Sequence, residues 1–265
     1  MKVMTLNTHS YIEENSLSKL EQIATYISEQ NPDVVALQEV NQLITSNEIT
    51  PASNFCPLPK QHPIHEDNFA YLLVNKLKEY GLHYYWSYSY AHIGYDKYQE
   101  GLALLSKDKL VSFDVETSKA EHVGKLTRKV LVGQTDYGTF VCGHYSWQGA
   151  DGFDYEWNKT KEVLINQKQP LVIMGDFNNP PENSAHQQIK DSKLGLVDSF
   201  LVAKQKIGEQ TVIEPIDGWR ENKGKLRIDY IYLSSDREVI KYQVIFDGQH
   251  GPIVSDHFGI LVEFI

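Results

Sequence analysis

Cysteine is nearly absent. Cys56 and Cys142 are the only two, too few and too far apart for a disulfide framework or a zinc cluster. Cys142 lies in an apolar run and reads as a small buried residue. No stretch approaches the roughly 20 apolar residues that a membrane span requires. The opening Met1-Lys2-Val3-Met4-Thr5-Leu6-Asn7 lacks the apolar core of a signal peptide, so a cytoplasmic location is the expectation. Basic charge is also scarce: 25 Lys and Arg against 35 Asp and Glu give a net charge of −10, with no dense basic run. Proteins that hold nucleic acid non-specifically carry a basic field, which makes nucleic acid the less favoured partner here. Internal repeats, low-complexity tracts and Gly/Ser linkers are missing too.

What the chain does have is apolar material for a sizeable core, 41% hydrophobic and 11% aromatic residues. Alternation and helical spacing predict strands over residues 2–7 and 33–38 around a helix over 17–30, which Asn31-Pro32 stops. A second helix is expected over 68–79 and a third over 153–167. Further strands are expected over 84–89, 101–106, 110–116, 129–135, 139–145, 171–174, 227–234, 239–246 and 258–264. Helices inserted among strands without strict alternation point to an α/β fold. The expected form is a four-layer α/β/β/α sandwich of two mixed sheets flanked by helices, one domain over 1–265. The loop over 45–65 is long for a compact domain.

The ends of the apolar runs carry the chemistry. Leu171-Val172-Ile173-Met174-Gly175 leads into Asp176, and Asn178 follows two positions on, on the same face of an extended chain. The run 4–6 ends in Asn7, the run 34–38 in Glu39, and 140–143 in His144. Asp229 sits inside a strongly apolar strand, and Asp256-His257 precedes the last one. A carboxylate in or beside a buried strand is costly unless it is paired or metal-bound. Taken singly, Asn7 reads better as a turn residue and Asp176 equally well as one, His144 reads better as a satisfied core histidine, and Asp229 is open to pairing with Arg227 or a lysine on its own face. One site that gathers them all is the simpler account, and fixed anions around it suit a divalent cation.

In the same order along the chain stand Thr5-Leu6-Asn7, Leu37-Gln38-Glu39, Gly143-His144, Gly175-Asp176-Phe177-Asn178, Arg227-Ile228-Asp229-Tyr230-Ile231 and Ser255-Asp256-His257. This succession resembles the endonuclease/exonuclease/phosphatase superfamily. The resemblance implies a phosphoester hydrolase that uses Mg²⁺, with Mn²⁺ able to substitute. By it, Glu39 is the main metal carboxylate, with Asn7 and Asp256 beside it as metal or water ligands. Asp176 orients or deprotonates the attacking water, and Asn178 steadies the phosphate or the nucleophile. His257 touches the phosphate with Asp229 behind it. His144 is a second phosphate-facing histidine, and Glu100 is the carboxylate that supports it; an acid before a glycine is also a common turn.

The substrate is less legible. Tyr84, Trp86, Tyr88 and Tyr90 alternate as one face of a strand and are expected to pack. Trp147, with Gln148 and Asp151, lies on the loop after His144, where a flat indole beside polar groups suits a sugar. Arg128 and Trp219-Arg220 are candidates for phosphate contact, a surface role being as open for each. Leu6-Asn7-Thr8-His9-Ser10 and residues 92–101 are similar to a Gram-positive subgroup that includes maltose 6'-phosphate phosphatases. The expected partner is therefore a small phosphorylated substrate, a sugar phosphate, acted on as a phosphomonoester. The alternatives are a phosphodiesterase of nuclease or sphingomyelinase type, and a binding protein with a dead centre.

Overall fold

The computed structural model describes residues 1–52, 54–120, 126–216 and 224–265. The chain begins β1 (Lys2–Asn7), a 3-10 turn (Ser10–Ile12), α1 (Ser16–Gln30), β2 (Val34–Leu43), and two short strands, β3 (Glu48–Ile49) and β4 (Ile64–His65). It continues α2 (Phe69–Glu79), β5 (Tyr85–Gly94), β6 (Tyr98–Ser106), β7 (Val111–Glu116), β8 (Lys129–Gln134), β9 (Thr139–His144), α3 (Phe153–Leu164) and β10 (Leu171–Asp176). The last part is α4 (Ser184–Lys190), β11 (Leu196–Asp198), α5 (Ser199–Val202), β12 (Gln205–Ile207), β13 (Asp229–Ser234), β14 (Val239–Ile245) and β15 (Gly259–Phe264).

Two large mixed sheets result, ordered β12-β14-β15-β1-β2-β6-β5 and β11-β13-β10-β9-β8-β7. The period-two alternation of each strand decides what its faces meet. In β1, Met4 and Leu6 join a core with Ile23 and Ile27 of α1 and Leu73 of α2. Val3 points the other way, into a core shared with Met174 and Val172 of β10 in the other sheet. Leu171 and Ile173 of β10 turn outward to Phe153 and Trp157 of α3. Helices, sheet, sheet and helices thus stack in four layers around strands buried on both faces. Tyr84, Trp86 and Tyr88 are buried in the first of these cores, as their alternation predicts.

The ladders also bring one end of every key strand together. β1 runs parallel to β2, and β10 parallel to β9. β13 is antiparallel to β10, and β15 to β1. The ends of β1, β9 and β10 therefore lie beside the starts of β13 and β15.

Several local expectations change: the strands expected over 84–89 and 101–106 lengthen to Tyr85–Gly94 and Tyr98–Ser106 and pair as a hairpin, and the helix expected over 153–167 ends at Leu164. β2 does not stop at Gln38 but runs on to Leu43, because its register with β6 shifts between Leu37 and Val40. Such a bulge lets Glu39 leave the ladder without ending it, and Glu39 takes a left-handed φ of 52°. β13 starts at Asp229 rather than at residue 227, since its last pair with β10 is Asp176↔Asp229. The helices α4 and α5 and the strands β3, β4, β11 and β12 are too short to have left a period in the sequence.

Candidate active site

Asp176 is the hub. Its place at the end of β10 needs a glycine before it. Gly175 has φ 148°, and a Cβ there would stand 1.9 Å from the Gly143 carbonyl oxygen of the parallel neighbour β9. Close passage of β10 along β9 sets Asp176 level with His144, and on its other side level with Asp229. Asp176 Oδ1 accepts from the Asn178 backbone N–H at 2.8 Å. Oδ2 accepts from Asn7 Nδ2 at 3.1 Å and faces His144 Nε2 at 3.5 Å and His257 Nε2 at 3.8 Å. Asn178 in turn donates to the Tyr145 carbonyl at 3.0 Å, which ties the turn after β10 to the end of β9.

Asn7 spans the two halves of the site: Nδ2 also donates to Glu39 Oε1 at 2.9 Å, while Oδ1 accepts from the His9 N–H at 3.1 Å. The amide so turned offers protons to two carboxylates. As a direct metal ligand it would present its oxygen, which requires the amide to turn over.

His257 Nδ1 lies 2.9 Å from Asp229 Oδ2. A carboxylate accepts only, so Nδ1 carries the proton and Nε2 faces Asp176. Burial works against the charged ring, but Asp229 and Asp176 outweigh it and hold His257 well above its ordinary pKa. His144 goes the other way: burial, then Arg128 and His257, push it well below, leaving a neutral imidazole. Two histidines on one carboxylate thus carry different charge.

The acids are crowded. Burial and the nearby Asp229 raise Asp176 to about 7. Burial and Glu100 raise Glu39 to about 7, and Asp256 adds to this. Oxygen donors that repel one another at the end of buried strands fit a hard divalent cation, which takes oxygen ligands and removes the repulsion. Glu39 and Asp256, with Asp176 and Asn7 alongside, are the residues that would hold it. Asp176, Asp229 and His257 also lie within ligand distance of one another, but His257 Nδ1 is already engaged by Asp229. A further group, His9, Glu13 and Asp256, is charge-balanced by Lys19, which donates to Glu13.

Glu100 differs from expectation. Its Oε1 lies 3.5 Å from Nε2 of His92, while His144 turns to Asp176 instead. His92 is held by the Thr127 carbonyl at 3.1 Å, and burial with Arg128 lowers it to about 4. Arg128 is 6% exposed, lines the same cavity, and its Nε is buried without a hydrogen-bond partner. The cavity encloses about 350 Å³, with Asp176, Asn178, His144, His257 and Glu39 on its walls and Trp147 at its rim. Trp219 and Arg220 lie outside the described residues.

Sequence reasoning gave His9, Glu13, His92 and Tyr95 no role in the site, although residues 6–10 and 92–101 carried the subgroup resemblance. His9 carried a signal, standing two positions after Asn7. The others join the site through the hairpin between β5 and β6 and through the turn after β1, contacts between distant segments that no local pattern records.

The profile of the Endonuclease/Exonuclease/phosphatase family matches residues 4–257, and the chain belongs to that family. A family protein from Leptotrichia buccalis C-1013-b is 31% identical, with TM-score 0.86 over 100% of this chain and 99% of that one. A mannosyl-6-phosphatase from Bacteroides thetaiotaomicron VPI-5482 is 18% identical (TM-score 0.68, 100% and 99% covered). A 3' phosphatase from Neisseria, bound to product DNA hairpin, is also 18% identical (TM-score 0.62, 100% and 99%). The last two likenesses are of fold alone. No curated protein matches the chain. Members of the family are phosphoester hydrolases, generally dependent on a divalent metal, and this chain is a phosphoester hydrolase.

Proposed function

We propose that the protein is a Mg²⁺-dependent phosphomonoesterase acting on a sugar phosphate, of the size of maltose 6'-phosphate or smaller. The observation that carries this reading is the open cleft of about 350 Å³ on which the reactive groups converge. Pockets of this volume take small molecules, and a net charge of −10 disfavours a polyanionic duplex. The fold likeness to a mannosyl-6-phosphatase agrees with it.

In the reaction the water oxygen forms a bond to phosphorus as the ester P–O bond breaks. Asp176 Oδ2 takes the water's proton and releases it to solvent, and the departing alkoxide takes one proton from solvent, so that the protons balance. Asn178 and its backbone N–H fix the carboxylate for this transfer. His257, protonated and oriented by Asp229, donates from Nε2 to a phosphoryl oxygen, and neutral His144 contacts another. Arg128 supplies a buried cation for the phosphate. Glu39 and Asp256, with Asn7 beside them, would hold a divalent ion, which would supply Lewis-acid stabilisation of the phosphoryl charge.

The test is release of inorganic phosphate from a panel of sugar phosphates, nucleotides and phospholipid headgroups, with DNA cleavage assayed alongside. The expected result is turnover of sugar phosphates, lost on chelation with EDTA and restored by Mg²⁺ or Mn²⁺. DNA cleavage without phosphomonoesterase activity, or full activity after exhaustive chelation, would overturn it.

A further inference from the structure

The mouth of the cavity has a built corner beside Asp256, whose Oδ1 lies 3.5 Å from His9 Nδ1. His9 stands on a left-handed backbone, φ 46°, just past the end of β1. Its Nδ1 lies 2.8 Å from Glu13 Oε1, and the same oxygen accepts from the Asp256 N–H at 3.1 Å. Lys19 holds the other Glu13 oxygen. With Nδ1 committed to a carboxylate, Nε2 is the ring atom left for the cavity, and it faces the Tyr95 hydroxyl at 3.3 Å. That is longer than a good hydrogen bond between an imidazole and a hydroxyl.

Tyr95 arrives from the opposite wall. It sits at the tip of the β5–β6 hairpin, where the Lys97 N–H meets the Gly94 carbonyl at 3.1 Å. Both central residues, Tyr95 and Asp96, have φ 53°. Glycine or asparagine is the usual choice there, so a tyrosine in this conformation is strained. Yet Tyr95 remains 50% exposed, so core packing does not account for the strain. Trp147, 39% exposed, completes an aromatic rim on the same cavity. Strained residues held at the lip of a pocket, their polar tips turned inward, are the signature of recognition.

We propose that His9 and Tyr95 form a hydroxyl-reading clamp for the alcohol half of the substrate, with Glu13 as the positioning residue for His9. The ester hydrolysed here therefore carries at least two hydroxyl groups on its leaving alcohol: one hydrogen-bonds to His9 Nε2, the other to the Tyr95 hydroxyl. The inference rests on the phosphomonoesterase reading and adds to it the part of the substrate that the reactive groups do not see.

The test is a ratio: kcat/KM for maltose 6'-phosphate or mannose 6-phosphate divided by kcat/KM for phenyl phosphate, which has no hydroxyl to read. Tyr95→Phe removes one oxygen atom and is expected to lower that ratio about five- to tenfold, chiefly through KM for the sugar ester. His9→Gln is expected to lower it as well. A general structural defect lowers both esters together and leaves the ratio where it was. An unchanged ratio in both variants overturns the clamp while the phosphomonoesterase reading stands. A wild-type enzyme that cleaves phenyl phosphate but no sugar phosphate also overturns it. If no phosphomonoester is cleaved, the parent reading fails and the clamp falls with it.

Discussion

At the residue scale, charge is assigned by neighbours rather than by residue type. His144 and His257 both face one oxygen of Asp176, at 3.5 and 3.8 Å, yet only His257 has a carboxylate behind it. Asp229→Asn keeps the shape but removes the charge that holds His257 protonated and Nδ1–H oriented. We expect kcat/KM to fall roughly 10²- to 10⁴-fold, in the range of lost acid–base help, with circular dichroism unchanged. Asp176→Asn should cost at least as much, since it removes the acceptor for the water's proton. Near-full activity in either variant would refute the roles given to this pair. The sequence announced Asp176 and Asn178 because spacing on an extended strand is local. It could not announce that Glu100 faces His92 instead of His144, for that depends on where Arg128 settles between distant strands.

At the scale of elements, β10 is the part that tolerates least. Gly175→Ala puts a methyl group 1.9 Å from the Gly143 carbonyl, a backbone atom that cannot swing aside. The strand must separate from β9 or lose the alignment of Asp176 with His144. We expect a loss of about 3 kcal/mol in urea unfolding, at the upper end of overpacking effects. A loss below about 0.5 kcal/mol would mean that the two strands do not pass as closely as described. The long strands and α1 to α3 were legible because alternation and helical spacing persist over whole segments. The bulge at Glu39 was not: Val34 to Gln38 reads as a strand that stops, and only its pairing with β6 reveals that it continues. The left-handed turns at His9 and Tyr95 were hidden for a related reason, since neither residue type advertises such a backbone.

At the scale of the whole molecule, the crowded acids couple stability to pH and to metal. In the fold Glu39 and Asp176 hold their protons up to about pH 7, against ordinary values of 4.5 and 3.8. An acid raised in the folded state favours folding while protonated, and that contribution is lost as pH climbs through the folded value. The metal-free protein should accordingly lose heat stability between about pH 4 and pH 7 from these two groups. His257, raised above 6.5, adds to the trend, because its stabilising charge is lost as pH rises further. A cation binds the ionised site, so Mg²⁺ should raise Tm more at about pH 8.5 than at about pH 5.5. At a concentration of about 100 Kd the gain is roughly 2.7 kcal/mol, which in a chain of this size is about 5–10 °C. Thermal shift assays at both pH values check this, and an equal Mg²⁺ effect at each would contradict it.

The four layers have a bearing on how such an enzyme changes its diet. Asp176 and its neighbours issue from strands clasped on both faces, whereas Tyr95 and Trp147 stand on a hairpin tip and a loop that no core encloses. On the proposed clamp, the bond-breaking groups and the substrate-reading residues stand on separate elements with separate tolerances. A directed-evolution library confined to residues 93–97 and 146–151 should yield descendants with altered substrate choice and an undiminished fold. Lineages of this scaffold can then diversify at the rim while inheriting the chemistry unchanged.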